Sequence, residues 1–467
     1  MKLKKPSSKI LSLLLVFIAI YIIFAIVFNQ FKDIWWDEAA YIGFGKYLFS
    51  HGQLGIFEYM RPPFFPLILG LAWKIGLNPA IFGKLFILSL SLLSLYITYL
   101  ISKEFLNDKT AIISTIILFS NALFFLFMFR IYTEMLSLLT ILLAIFFMVK
   151  FTKSHSSSYL ILSALFCALA FLTKYPNALI VPILNIFLII NYLKERNLKN
   201  IIIFNLSVIL FISPFFIVNY LVSGNPLYLF NLSQNFYKDN LGHTYDLKAY
   251  PGPELILKNT PWIYINTLLL FLNVLIPFAI LGIYFMLKEK SLVKEKVIFL
   301  IAPLITFFIF FQIFYLKQER YLLPIFPFIA IFAAYGLSKI KTKKLISLIL
   351  LFYILIPAVI LITFFIRYDE VDYQKFFINP HIEISCKEVL TSDARSAINY
   401  KVLNPYQEYN EKWTTASVLK EKPDCIFYFS CYQNRSSHIK EINNLNYNSS
   451  YLNNNGRCTY AIFKKIH

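Results

Sequence analysis

The feature that most constrains this chain is a series of long apolar segments that recurs from residue 10 to residue 366. A helix needs roughly 20 apolar residues to cross the about 30 Å of hydrocarbon in a bilayer. Only 15% of the residues are charged, against about 25% in ordinary soluble domains. A single soluble globule is therefore excluded, and the sequence predicts an all-α polytopic membrane domain. We place about eleven membrane-spanning helices at 10–28, 84–102, 110–129, 134–150, 157–173, 176–193, 200–221, 262–287, 297–316, 321–338 and 345–366.

The basic residues indicate how these spans are oriented. The net charge of +19 would suggest a nucleic-acid partner in a soluble protein, but in membrane proteins positive residues collect in cytoplasmic loops. With the N-terminus inside, the basic loops 194–199, 288–296 and 339–344 all lie on that side. We therefore predict a multi-pass plasma-membrane protein with a cytoplasmic N-terminus and no nucleic-acid partner. Because no small-residue cleavage site follows the first span, we expect it to be an uncleaved anchor.

Two loops and the C-terminal segment then lie on the extracytoplasmic side. The loop after the first span contains two apolar runs, 39–49 and 64–75, which are too short to cross the membrane and suit helices along the interface. The loop 223–261 is polar, and its Gly and Pro residues are typical of a mobile lid. We predict two domains, a transmembrane catalytic domain over 1–366 and a small α/β extracytoplasmic domain over 367–467.

Four of the five cysteines fall in this C-terminal domain. Cys386, Cys425, Cys431 and Cys458 allow up to two disulfides, in three connectivities between which the sequence does not decide. A zinc site is the weaker interpretation because no Cys-x-x-Cys spacing occurs.

The sharpest local feature is Trp35-Trp36-Asp37-Glu38, just after the first span. The two tryptophans suit the headgroup level, and a helix that begins at Asp37 would hold both carboxylates at its positive end. A carboxylate fixed in this way can act as a general base. The alternative is that both are simply solvated at the membrane surface.

Cations follow in the same loop and in three short turns. Arg61 precedes Pro62-Pro63, which hold it in an extended conformation suited to binding phosphate, although a surface anchor is the plainer alternative. Arg130 and Glu134 flank the turn before one span, where Glu134 could equally serve as a helix N-terminal residue, and Lys174 could snorkel harmlessly.

The turn Lys317-Gln318-Glu319-Arg320 carries three charges between two apolar spans. Cations in a short extracytoplasmic turn run against the usual charge distribution, which favours a functional role. Lys317 and Arg320 suit an anionic headgroup, with Glu319 orienting them. Carboxylates and cations on one membrane face are the groups needed to displace a phosphate from a lipid.

At these residues the chain resembles the polytopic glycosyltransferases of the GT-C architecture, in particular the protein O-mannosyltransferase and aminoarabinose-transferase branch. The resemblance covers residues 10–340 and rests on motifs in the same order: Asp37-Glu38, Arg61-Pro62-Pro63-Phe64, Glu134 after Tyr132-Thr133, Gly224-Asn225-Pro226-Leu227 and Glu319-Arg320-Tyr321-Leu322-Leu323-Pro324.

The resemblance implies inverting transfer of a sugar from a polyprenyl-phosphate or dolichyl-phosphate donor to a hydroxyl of a protein, lipid or glycan. Asp37 would be the catalytic base, Glu38 would position it or the acceptor, and Glu134 would stand where the family more often has Asp. Arg61 would bind the carrier phosphate where the aminoarabinose enzymes have Lys. We assign Asp37, Glu38 and Glu134 as catalytic, and Tyr59, Arg61, Arg130, Tyr132, Lys174, Lys317, Glu319, Arg320 and Tyr321 as substrate-binding.

The resembling branch usually needs no metal, so we predict no required cofactor; a divalent cation held by Asp37, Glu38 or His243 is the weaker alternative. The C-terminal domain shows no motif of either branch and could serve acceptor recognition. The rival function is a transporter or flippase of a lipid-linked saccharide. Transporters tend to carry charges near the bilayer midplane and internal repeats, and the sequence shows neither.

Overall fold

We describe the protein from a computed structural model. The described residues are 8–30, 34–58, 61–195, 198–239, 262–289, 294–313, 318–367, 386–391, 394–403, 422–430, 442–454 and 459–466. The α-helices are α1 Ser8–Val27, α2 Trp36–Phe49, α3 Phe64–Lys74, α4 Pro79–Phe105, α5 Asp108–Phe119, α6 Ala122–Phe127, α7 Thr133–Ser154, α8 Ser157–Thr173, α9 Ile180–Glu195, α10 Lys199–Ser223, α11 Tyr228–Asp239, α12 Ile263–Leu272, α13 Ile276–Lys288, α14 Lys294–Ile313, α15 Phe326–Ser338 and α16 Lys343–Arg367.

Each predicted span contains helix, but the spans are not all continuous. Within the described residues, eight helical segments are long and apolar enough to cross a membrane, and α8 and the apolar part of α14 are shorter. The predicted span 110–129 is divided into α5 and α6 by Asn121, whose side chain accepts a hydrogen bond from Phe124 N at 3.2 Å and donates one to the Phe271 carbonyl at 3.2 Å. This polar side chain caps a new helix instead of continuing the old one.

Helices are present at both positions where the sequence predicted interfacial helices, as α2 and α3; their location at the interface stays a prediction. The polar loop 223–261 is only partly as expected, because α11 occupies residues 228–239 and the residues 240–261 lie outside the described part. With 12 residues, α11 is too short to cross a membrane, in agreement with the absence of a predicted span there.

The chain divides into two compact units. The first comprises residues 1–28, 59–64 and 85–368. Among the candidate membrane spans of this unit, those that contain α7 and α15 are the most buried, whereas α10 and α16 leave most of their apolar side chains exposed, as expected for helices that face lipid. In this unit α13 crosses α15 closely, since a Cβ at Gly282 would lie 1.9 Å from the Phe332 carbonyl oxygen. The charged turns that carry Arg130 and Glu319 therefore precede α7 and α15.

The second unit comprises residues 29–58, 65–84 and 369–467. Its strands are β1 Glu388–Leu390, β2 Lys401–Leu403, β3 Cys425–Ser430, β4 Tyr447–Asn454 and β5 Thr459–Lys465. They form one five-stranded sheet in the order β2-β1-β3-β5-β4. β1 is parallel to β2 and β3, and β5 is antiparallel to β3 and β4.

The apolar core of this sheet includes Leu390, Ile426 and Phe463. A disulfide joins Cys386 to Cys425 and so ties the start of β1 to the start of β3. Cys431 and Cys458 lie outside the described residues. The C-terminal α/β domain is thus present, and most of the first loop groups with it; the predicted division between residues 366 and 367 stays a prediction.

Candidate active site

The first group of candidate residues lies at the start of α2, in the second unit. Trp35 is extended, with φ −80° and ψ 163°, and Trp36 begins the helix. The Glu38 carboxylate accepts a hydrogen bond from the Trp35 N–H at 2.7 Å. This contact caps the start of the helix, where backbone N–H groups have no partner within the helix. Glu38 is therefore committed to holding the start of α2 in place.

A buried lysine fixes the same carboxylate. Lys84 Nζ lies 3.2 Å from Glu38 Oε1 and 3.5 Å from Oε2, and the two side chains are 2% and 0% exposed. A buried carboxylate is stable as an ion only when a partner compensates its charge. Sequence reasoning missed Lys84, although a lone lysine near the start of an apolar span is a signal that it could have used.

Asp37 is the residue before Glu38 and is also buried. Successive residues of a helix point about 100° apart, since a turn takes about 3.6 residues. Asp37 therefore projects in a different direction from Glu38, while both lie in the first turn, where the helix dipole favours a negative charge. Lys84 and the helix end restrain Glu38, which is one residue from the proposed base.

The second group of candidate residues lies in the first unit and centres on Glu134, at the start of α7. Lys174 Nζ lies 3.1 Å from Glu134 Oε1, and Arg320 Nε lies 3.5 Å from the same oxygen. Glu134 is 4% exposed, whereas Lys174 is 19% and Arg320 is 13% exposed. We call these three residues the Glu134 cluster. It brings together charges from three separate turns, and two of the three are positive.

Two tyrosines border the Glu134 cluster. The Arg320 guanidinium lies over the Tyr132 ring, 4.8 Å from its centroid, and Lys174 Nζ lies over the Tyr321 ring at 4.3 Å. Arg320 Nε also donates to Gln318 Oε1 at 2.6 Å. Such ring contacts restrict the long cationic side chains without neutralising them. The two cations are consequently held in defined places.

Arg130 and Glu319 extend this region as buried charged residues. Arg130 ends the turn before α7, where the Tyr132 N–H donates to the Arg130 carbonyl at 2.7 Å. Glu319 begins the 3₁₀ helix Glu319–Ile325 that leads into α15. Next to it, the Gln318 N–H donates to the Tyr264 hydroxyl at 3.3 Å. The turn before α7 therefore positions Arg130, and the start of the 3₁₀ helix positions Glu319.

The structure thus brings five of the predicted residues together: Glu134, Lys174, Arg320, Tyr132 and Tyr321. Asp37 and Glu38 lie in the other unit, with Lys84. Arg61 is half-buried and lies three residues before the start of α3. Tyr59 and Lys317 lie outside the described residues. The chemical roles of all these residues stay predictions.

Among the described residues, no three His, Cys, Asp or Glu side chains are grouped in a way that could hold a metal ion. Lysine, arginine and tyrosine are the side chains that border the Glu134 carboxylate in the contacts described above, and none of them is a usual ligand of a hard cation.

Sequence profiles of two families match this chain. Residues 60–219 match the dolichyl-phosphate-mannose-protein mannosyltransferase family, and residues 258–377 match the Alg9-like mannosyltransferase family. No curated protein sequence gives a match.

Solved structures with a similar fold were also found. ArnT from Cupriavidus metallidurans, bound to undecaprenyl phosphate, has a TM-score of 0.67 and 11% identity over 97% of this chain and 98% of that one. The Archaeoglobus fulgidus oligosaccharyltransferase in its apo form has a TM-score of 0.55 and 12% identity over 88% of this chain and 69% of that one. The chain is a membrane glycosyltransferase with the GT-C fold.

The GT-C fold confirms the fold class that the motifs implied. In this GT-C glycosyltransferase, both matched profiles include residues of the Glu134 cluster or its surroundings. The first includes Arg61, Arg130, Glu134 and Lys174, and the second includes Glu319 to Tyr321. The Asp37-Glu38 pair precedes both matched regions.

Proposed function

We propose that this glycosyltransferase moves a sugar from a polyprenyl-phosphate donor, such as a dolichyl or undecaprenyl phosphate sugar, to an acceptor hydroxyl. The observation that carries the proposal is the Glu134 cluster, in which Lys174 and Arg320, from two separate turns, lie beside one buried carboxylate and keep part of their own surface exposed. Cations at membrane depth are expensive and mark ligand sites. A lipid phosphate is an anion that reaches this depth.

The structural relatives support the choice of donor. ArnT from C. metallidurans was crystallised with undecaprenyl phosphate, and the A. fulgidus oligosaccharyltransferase is known in complex with a dolichol-phosphate and an inhibitory peptide, at a TM-score of 0.52. The first matched family is named for dolichyl-phosphate-mannose and a protein acceptor. The acceptor we propose is a hydroxyl of a protein, lipid or glycan.

In the proposed reaction, the acceptor oxygen attacks the anomeric carbon and the bond from that carbon to the phosphate oxygen breaks. Asp37 takes the acceptor proton, and the phosphate leaves on the polyprenyl chain with the bonding electrons. A single displacement from the opposite face inverts the anomeric configuration. Glu38 holds the start of α2 and so keeps Asp37 in place.

Lys174, Arg320 and Arg61 act on the leaving group. Positive charges that are already in place stabilise the charge that develops on the phosphate oxygen as the bond breaks. The Arg320 guanidinium can form two parallel hydrogen bonds to phosphate, whereas Lys174 contributes a point charge. Glu134 holds these two cations beside one carboxylate oxygen. The same charges make a bound metal unnecessary for the reaction.

We place this reaction on the extracytoplasmic face, because the basic loops assign the opposite face to the cytoplasm. In that orientation, the first loop, the turns of the Glu134 cluster and the C-terminal sheet are extracytoplasmic, and the N-terminus is cytoplasmic.

The test uses purified protein in liposomes with a panel of labelled polyprenyl-phosphate sugars and a membrane extract as acceptor. We expect the wild type to release polyprenyl phosphate and form an inverted glycosidic bond. Asp37→Asn should lower kcat by about 10²–10⁴-fold, the usual contribution of a general base. The matched control is Asp108→Asn, which removes a partly exposed carboxylate paired with Lys103 at 2.9 Å.

Equal transfer by the wild type and Asp37→Asn would overturn the assignment of the base. Movement of the intact donor across the liposome membrane, without release of polyprenyl phosphate, would overturn the transfer reaction and favour a transporter.

A further inference from the structure

The segment that leads into α2 is held by a residue more than 350 positions away. Arg395 lies in the 3₁₀ helix Ala394–Ile398, and its buried side chain donates from Nε to the Ile34 carbonyl oxygen at 2.9 Å. Ile34 precedes Asp37 by three residues and belongs to the same compact unit as Arg395. A charged donor on a buried carbonyl forms a stronger hydrogen bond than a neutral donor does.

The same 3₁₀ helix also contacts α2 beyond Asp37. A Cβ at Gly43 would lie 2.6 Å from the Ala397 Cβ and 2.9 Å from the Ile56 Cγ2. The helix can therefore approach this closely only because residue 43 is glycine. One turn later, Lys46 Nζ donates to the Ile398 carbonyl. Burial lowers the pKa of Lys46 from its ordinary value, which agrees with its enclosed position.

After α2, the chain joins the edge of the sheet. The Val402 N–H donates to the Gly55 carbonyl at 2.8 Å, and the Gly55 N–H donates to the Tyr400 carbonyl at 3.1 Å. Ile56, Ala397 and Val402 form a small buried apolar cluster beside these bonds. The segment 394–402 therefore fixes α2 before its start, along its length and after its end.

We propose that Arg395 is a positioning residue for the catalytic helix, and that the C-terminal domain sets the direction of the Asp37 carboxylate through it. This inference rests on the proposed function of Asp37 as the base. A catalytic group must stay within roughly 0.5 Å of its productive position, and a misplacement of about 1 Å can cost about 100-fold in rate. Arg395 acts at the point where the backbone turns into the helix, so its loss moves the first turn most.

The first experiment compares Arg395→Met and Arg395→Lys with the wild type in the liposome transfer assay. Arg395→Met should lower kcat by about 10–100-fold with the KM for the donor unchanged. Arg395→Lys keeps a cation and a donor near the Ile34 carbonyl and should recover part of that loss. Lys387→Met is the matched control, because Lys387 is an exposed cation of the same C-terminal segment. Equal losses in kcat for Arg395→Met and Lys387→Met would overturn the proposal.

The second experiment exchanges volume across the contact between α2 and the 3₁₀ helix. Gly43→Ala should lower kcat, because the new methyl group meets the Ala397 methyl group. The double variant Gly43→Ala with Ala397→Gly removes the contact with the Ala397 methyl group and leaves the one with Ile56 Cγ2, so it should restore part of the activity. A double variant that is no more active than Gly43→Ala alone would contradict the role of this contact.

A third measurement does not depend on transfer activity. Hydrogen–deuterium exchange of the amides in residues 34–43 should speed up in Arg395→Met and stay unchanged in Lys387→Met. Unchanged exchange in Arg395→Met would overturn the positioning role even if the enzyme is an active transferase. A wild type without transfer activity, together with faster exchange in Arg395→Met, would refute the proposed function and leave the structural support of α2 established.

Discussion

Two buried glutamates of this enzyme lie beside cations, and the exposure of those cations differs. Glu38 lies beside Lys84, and both side chains are almost completely buried. Glu134 lies beside Lys174 and Arg320, and both of these keep some exposure. A fully buried ion pair is closed to a ligand, whereas cations that keep some exposure can still meet one. The difference separates a carboxylate that holds a helix from a carboxylate that arranges a binding site.

The largest effect, on the stability of the fold, should come from breaking the buried Glu38–Lys84 pair. Lys84→Met leaves the Glu38 carboxylate buried without its cation, which typically costs about 3–5 kcal/mol of unfolding free energy. Thermal unfolding of the purified protein in detergent should show a large fall in the midpoint. Lys103→Met, which removes a largely exposed lysine of the same helix, is the control and should change the midpoint little.

The double variant Lys84→Met with Glu38→Gln sharpens this test. It removes both charges, so we expect most of the lost stability to return, because no uncompensated ion remains buried. Similar midpoints for Lys84→Met and the wild type would show that the pair does not stabilise the helix, and the contrast between the two glutamates would fail.

A smaller effect on stability and a specific effect on binding should follow from breaking the Glu134 cluster. Arg320→Met removes one of the two cations that lie beside the Glu134 carboxylate and leaves Lys174. A hydrogen bond to a charged group contributes about 1.5–3 kcal/mol, so the KM for the donor should rise about 10–150-fold. Saturation kinetics measures this change. A rise in KM no larger than that of Lys103→Met would remove the cluster from the donor site.

Glu134→Gln should change the same cluster in the opposite direction. The amide keeps the size of the carboxylate, while Lys174 and Arg320 lose the anion between them. We therefore expect polyprenyl phosphate to bind several-fold more tightly as a product inhibitor. The inhibition constant for added polyprenyl phosphate measures this effect. An unchanged constant, with lower kcat, would favour a direct catalytic role of Glu134 over the arrangement of cations.

The sequence predicted the elements of this fold better than the contacts between them. A run of apolar residues is a local property, so the positions of the spans and of α2 and α3 could be read directly. The Glu134 cluster was also predictable in outline, because Glu134, Lys174 and Arg320 each stand out as charges in short turns between apolar spans.

The missing parts depend on tertiary contacts. Lys84 is 46 residues from Glu38 and Arg395 is 361 residues from Ile34, and no local pattern connects either pair. The division of one predicted span at Asn121 depends on the Phe271 carbonyl, 150 residues away. A buried polar residue must find a partner, so a lone polar residue in an apolar segment predicts that a partner exists without identifying it.

The smallest expected effect concerns metal ions. Lys174 and Arg320 already supply positive charge beside the Glu134 carboxylate, which is the role that a divalent cation has in many phosphate sites. Transfer by the purified enzyme should therefore be unchanged after dialysis against EDTA, and added Mg²⁺ or Mn²⁺ should not raise kcat. Loss of transfer on dialysis, restored by one divalent ion, would mean that Lys174 and Arg320 are insufficient to stabilise the leaving phosphate. In that case Arg320→Met should make the enzyme still more dependent on the ion, because the ion and the Arg320 guanidinium would both stabilise the leaving phosphate.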